Sequence, residues 1–102
     1  MILVRYVFQT KWGMADAAVE EFKKYAEPMK KMFGTKTRVR VLTDLSGPFH
    51  TVVQEMEFES LAEWEKARLA MFASSEMEEM GEGAENPFES GYTELFTLEA
   101  EF

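Results

Sequence analysis

Residues 38–67 read RVRVLTDLSGPFHTVVQEMEFESLAEWEKA, and this stretch decides the fold. Thr37, Val39 and Val41 alternate with Arg38, Arg40 and Leu42. That pattern predicts a strand over Lys36 to Thr43 with one face wetter than the other. Asp44-Leu45-Ser46-Gly47-Pro48 is a turn cluster. His50 to Phe58 alternates again, with Val52, Gln54, Met56 and Phe58 on one side and Thr51, Val53, Glu55 and Glu57 on the other. Two strands joined by a short loop make an antiparallel hairpin, which brings Arg38 and Arg40 near Gln54–Glu57. Ser60 with Glu63 three residues later is a capping box, and Leu61, Trp64, Ala67 and Met71 then follow the helical period. The stretch is strand, loop, strand, helix.

The sequence on either side follows a similar plan. Ile2 to Gln9 is rich in residues that suit a pleated surface. Val4, Tyr6 and Phe8 share one face; Leu3, Arg5, Val7 and Gln9 share the other. Both are largely apolar, so this is a central strand, and Arg5 needs a partner there. After the turn Lys11-Trp12-Gly13, a helix is expected from Met14 to Phe33 on the stripe Ala15, Ala18, Val19, Phe22, Ala26, Met29 and Phe33. Pro28 should kink or divide it, and Gly34 is placed to end it. Downstream, Ser75 with Glu78 resembles a second capping box. It opens a short acidic helix carrying Met77, Met80 and Ala84, weakened by Gly81 and Gly83 and ended by Asn86-Pro87. Gly91 to Glu99 is the last strand, with Tyr92, Glu94, Phe96 and Leu98 opposite Thr93, Leu95 and Thr97.

The order β-α-β-β-α-(α)-β predicts an α+β, ferredoxin-like domain: an antiparallel four-stranded sheet with its helices on one face. The strands are apolar on their second face as well. The simplest cover for that face is another copy packed sheet to sheet, a symmetric homodimer.

A length of 102 residues suits one domain spanning 1–102. The 14% aromatic content supplies a core and argues against disorder. A net charge of −8 argues against nucleic acid and anionic membrane partners, which call for clustered Lys and Arg. With no cysteine, disulfides and thiolate chemistry are excluded. Arg5 interrupts the apolar N-terminal run and no small-residue cleavage site follows, so no signal peptide is read there and a cytoplasmic location is expected.

Four features carry a resemblance to a known superfamily. The opening strand leads through Lys11-Trp12-Gly13 into a long helix. Glu55-Met56-Glu57-Phe58-Glu59-Ser60-Leu61 passes from strand into capped helix. Trp64-Glu65-Lys66-Ala67-Arg68 is followed by Phe72-Ala73-Ser74-Ser75-Glu76. A closing strand, Tyr92 to Leu98, comes after a loose acidic segment. Together they resemble the dimeric α+β barrel superfamily, which includes antibiotic-biosynthesis monooxygenase-like and NIPSNAP-like domains, and they lie nearer the NIPSNAP-like branch. The resemblance implies an α+β barrel formed by a homodimer. It does not fix chemistry, because the superfamily holds cofactor-independent oxygenases, haem-degrading enzymes, isomerases, dehalogenases and members of no known activity. Where many monooxygenase-like members carry a helical histidine, this chain has Arg68. Of the Asn–Trp–His set of the haem-degrading members it has Trp64, but its only Asn is Asn86 and its only His is His50.

Candidate site residues follow. His50, the one group titrating near neutrality, is either a general base at a cavity mouth or a plain loop residue. Arg5, Arg40, Glu55 and Glu94 are either a polar set orienting an anionic or carbonyl substrate or an ion-pair network. Tyr6, Trp12, Phe22, Trp64, Phe72 and Tyr92 either line a ligand pocket between sheet and helices or are core; Arg40 joins the ligand-binding set. The acidic run Glu76, Glu78, Glu79, Glu82 and Glu85 lacks calcium-loop spacing and reads as a solvated face. No cofactor and no metal site is expected. The leading expectation is a homodimer binding a small apolar or aromatic molecule. The alternatives are a cofactor-independent monooxygenase or isomerase, with Arg5 as anion holder, His50 as proton carrier and Tyr92 as hydroxyl donor, or a structural protein-interaction dimer.

Overall fold

The computed structural model describes residues 1–33, 38–73 and 86–102. The elements in order are β1 (Ile2–Thr10), α1 (Ala15–Phe33), β2 (Val39–Thr43), β3 (Thr51–Phe58), α2 (Leu61–Phe72) and β4 (Phe88–Thr97). The strands form one four-stranded antiparallel sheet in the order β2-β3-β1-β4. This is the ferredoxin-like α+β arrangement, with β1 central as its two apolar faces demand. Gly34, the start of the second strand before Arg38, and the second capping box with its acidic helix and glutamates lie outside the described residues.

Pairing of β1 with β3 sets Val4 opposite Met56 and Phe8 opposite Val52. Opposed residues share a face, so Ile2, Val4, Tyr6, Phe8, Val52, Gln54, Met56 and Phe58 form the helix-facing side. Two core clusters grow on it. Val4, Met56 and Phe58 close over Ala67 of α2, with Tyr6 and Trp64 packed alongside. Val52 closes over Ala18 and Phe22 of α1, with Phe8 and Phe88 alongside.

Among the described side chains of α1, those buried are Ala18, Phe22, Tyr25 and Met29. Tyr25 lies on this stripe although the sequence stripe omitted it. Asp16 in the first turn and Lys30 and Lys31 in the last suit the helix dipole. Pro28 does not divide the helix, which runs unbroken through it. Packing of Phe22, Tyr25 and Met29 on both sides of the missing amide outweighs the break. Helix α2 starts as expected: Ser60 Oγ accepts from the Glu63 amide at 3.2 Å. Its apolar side is narrow, however, and Leu61 stays exposed while Ala67 is buried.

Several strand boundaries differ from expectation: β1 runs on to Thr10, and β2 starts at Val39 with Arg38 outside it. The third strand begins at Thr51, because His50 adopts φ 58°, a left-handed angle that ends extended pairing. The last strand covers Phe88–Thr97 and not Gly91 to Glu99. A register shift between Gln9 and Thr10 lets Phe88 join the pairing, and Asn86 Oδ1 accepts from the Phe88 amide at 3.0 Å to start it.

Candidate functional site

The helix-free face of the sheet carries an ordered row of charge. Register places Arg40 opposite Glu55, Glu55 opposite Arg5, and Arg5 opposite Glu94. One line across β2, β3, β1 and β4 therefore alternates plus, minus, plus, minus. Arg40 Nη2 pairs with Glu55 Oε1, and Arg5 Nε lies 3.6 Å from Glu55 Oε2. That Nε is buried and has no hydrogen-bond partner among the described residues. Beside this line runs an apolar one, Leu42–Val53–Val7–Tyr92. Val7 and Val53 are buried, whereas Leu42, Tyr92 and Phe96 on the flanking strands are exposed.

The other candidate lies on the helix side. Helix α1 packs on β2 and β3, and α2 on β3. Towards β4 a groove of about 470 Å3 remains among the described residues, lined by Tyr6 and Phe8 of β1, Met71 and Phe72 of α2, Asn86, and residues 88–93. Phe8 stacks at a tilt on Phe22 and Phe88, with centroids 5.5 and 4.9 Å apart. Gly91 permits this. A Cβ there would stand 2.9 Å from Phe8 Cδ1 and 3.2 Å from the Val7 carbonyl. Trp64 Nε1 donates to Tyr6 Oη at 3.0 Å. The Arg68 guanidinium lies 5.0 Å from the Phe72 ring and 6.0 Å from that of Trp64.

The expected site residues thus fall in three places. Arg5, Arg40 and Tyr92 belong to the open sheet face, and Tyr92, on the edge strand, also lines the groove. Tyr6 and Phe72 line the groove directly, Trp64 binds Tyr6 from behind, and Phe22 is core beneath Phe8. Trp12 lies away from the groove, exposed by 81%, with the His50 ring 4.5 Å away and Phe49 at 6.4 Å. His50 precedes Thr51, which itself stands four strand steps, or about 13 Å, from Glu55. One chain therefore does not gather Arg5, His50 and Tyr92 around one point. The His50 carbonyl accepts from both the amide and the hydroxyl of Thr10, at 2.9 and 3.2 Å, so this residue fixes the loop against β1. Among the described residues no group of three His, Asp or Glu is placed to hold a metal ion.

Sequence reasoning missed Phe8, Phe88, Gly91 and Thr93 as groove residues. Phe88 fell outside the expected strand, and the register shift that turns it inward has no sequence mark. Gly91 was the one available signal, since an isolated glycine in a strand points to close approach by another group.

No family model and no curated protein matches the sequence. Solved structures do match. A NIPSNAP domain protein from Burkholderia xenovorans superposes with a TM-score of 0.81 at 13% identity, covering 98% of this chain and 96% of its own. The chain has the NIPSNAP-like fold. A NIPSNAP-like domain protein from the same organism gives 0.80 at 15% identity over 95% and 84% of the two chains. A dimeric ferredoxin-like protein from an uncultured marine organism gives 0.73 at 11% identity over 99% and 95%. At such identities the NIPSNAP-like likeness is one of fold, and the groove and charged row must be argued on this chain's own residues. Among the described residues no helix is long and apolar enough to cross a membrane.

Proposed function

We propose that this NIPSNAP-like chain forms a homodimer through its open sheet face and binds a small apolar or aromatic molecule in the groove beside β4. The observation that carries the binding role is the groove itself. Its volume of about 470 Å3 falls within the ~300–1,000 Å3 typical of ligand sites. Its walls are aromatic, from Tyr6, Phe8, Phe72 and Phe88, with a few polar groups, Asn86 just before β4 and Glu89 and Thr93 on it. A flat hydrocarbon body matches the first set and a small number of polar substituents the second.

The dimer is supported by the charge row. A two-fold axis lying along the strands sets β2 over the partner's β4 and β3 over the partner's β1. The row plus-minus-plus-minus then meets its own reverse, so every charge faces its opposite. A two-fold axis across the strands sets like over like. Leu42, Tyr92 and Phe96, exposed on the flanking strands of this face, supply the apolar area to be covered.

Native mass spectrometry of protein purified without added ligand tests both parts. A dimer mass carrying a retained small molecule is expected. A monomer at micromolar concentration rejects the sheet pairing. A bare dimer that also fails to take up two-ring aromatic compounds rejects the groove as a binding site.

A further inference from the structure

We infer that the ligand of the groove presents a hydrogen-bond-accepting oxygen, a carbonyl or carboxylate on an apolar body, and that the Tyr6 hydroxyl receives it. This rests on the groove being the binding site, as proposed above, and adds the chemical class of what enters.

The starting point is the direction of one hydrogen bond. An indole N–H can only donate. The 3.0 Å contact between Trp64 Nε1 and Tyr6 Oη therefore fills an acceptor position on the phenol oxygen and leaves the phenol's own hydrogen uncommitted. Among the described residues no acceptor takes that hydrogen. Tyr6 is half-buried in the sheet, in the central strand, and lines the groove. A part-buried donor with no protein acceptor is satisfied by water or by a bound molecule. Accepting from Trp64 also polarises the O–H and strengthens it as a donor, as in any hydrogen-bonded chain. A free phenol in this place would take either a donor or an acceptor. With its acceptor side engaged by Trp64, it selects for acceptors.

The neighbourhood agrees. Trp64 is held on α2 above β1 by packing against Val4, Met56 and Phe58, so the pair Trp64–Tyr6 is built on rigid elements. The Arg68 guanidinium lies over both the Trp64 and Phe72 rings, and no acidic side chain pairs with it among the described residues. A positive charge beside this end of the groove favours an electron-rich oxygen there. Asn86 lies just before β4 and Glu89 near its start, about 13 Å along the strand from Thr93, the residue opposite Tyr6, so the Glu89 carboxylate belongs to the other end of the groove.

The test uses the full chain and two probes of equal shape, 1-tetralone and tetralin, which differ in one carbonyl oxygen. Both are titrated by 1H–15N NMR against wild type and Tyr6→Phe. Because the ketone is better hydrated than the hydrocarbon, the quantity read is the change in the ratio of their affinities between the two proteins. Tyr6→Phe is expected to weaken tetralone about three- to tenfold relative to tetralin, the scale of one net hydrogen bond. An unchanged ratio overturns the inference and leaves the groove as a binding site. If neither probe shifts the amides of Phe8 and Gly91 at millimolar concentration, the binding role fails and the inference falls with it. Wild type gives a second readout should Tyr6→Phe fold poorly. The Trp64 indole N–H resonance, told from that of Trp12 by a Trp12→Phe variant, should move with tetralone and stay with tetralin. Equal movement with both rejects the Tyr6 contact.

Discussion

Gly91 is held to glycine by its neighbour. Its site needs room, since the nearest atom to an added Cβ is Phe8 Cδ1 at 2.9 Å, well inside contact distance. Phe8 cannot swing away freely, because Phe22 and Phe88 stand against it. Gly91→Ala should therefore cost about 1–3 kcal/mol, the usual cost of overpacking, and should narrow the groove. Chemical denaturation reads the first effect, and weaker uptake of any two-ring probe reads the second. Gly47 is the opposite case: its φ of 93° and the empty space around its Cβ position make backbone angle the constraint. At Ser60 the side-chain oxygen caps α2 by accepting from the Glu63 amide. Ser60→Ala should lose about 1 kcal/mol, whereas Ser60→Asp should hold stability close to wild type. His50 has a backbone role of its own: it makes a left-handed turn whose carbonyl accepts from two Thr10 donors.

At the level of elements, the parts legible in sequence were those with a strong period. Alternation in Thr51–Phe58 and the capped start of Leu61–Phe72 translate into the observed strand and helix almost residue for residue. The four charges Arg5, Arg40, Glu55 and Glu94 were legible as strand residues, but not as a single row, because register depends on the sheet as a whole. The groove was least legible. It is what remains between two helices and an edge strand, and no local pattern encodes such a remainder. Pro28 illustrates a sequence rule overruled by packing. It sits inside α1, and it cannot donate to the Lys24 carbonyl one turn earlier. The helix nonetheless persists, since Tyr25 and Met29 are buried on either side of it. The local cost is then still present in the folded chain. Pro28→Ala should restore the lost bond and raise stability by about 1–3 kcal/mol, bounded by the helix-propensity difference. A lower melting temperature for that variant would mean that the proline ring's own packing matters more than the missing hydrogen bond.

For the whole molecule the question is how the open face is covered. A sheet with helices on one side leaves Leu42, Tyr92 and Phe96 exposed on the two edge strands of the other, apolar surface that the proposed dimer would cover. The order of the charges makes the prediction specific. With the two-fold axis along the strands, Arg40 meets the partner's Glu94 and Arg5 meets the partner's Glu55. Glu94→Arg then places two cations together at each end of the row and should shift the dimer towards monomer by at least tenfold in dissociation constant, read by sedimentation equilibrium. The double change Arg40→Glu with Glu94→Arg reverses both ends and should restore most of the lost affinity, although within the chain it sets a second carboxylate beside Glu55 in place of the present ion pair. An axis across the strands gives the opposite result. There Glu94 meets the partner's Glu94, so Glu94→Gln alone should tighten the dimer and the double change should rescue nothing. The same three variants therefore decide between the two arrangements. They do so without touching the groove, which lies on the far side of the sheet except where Tyr92 of β4 borders both.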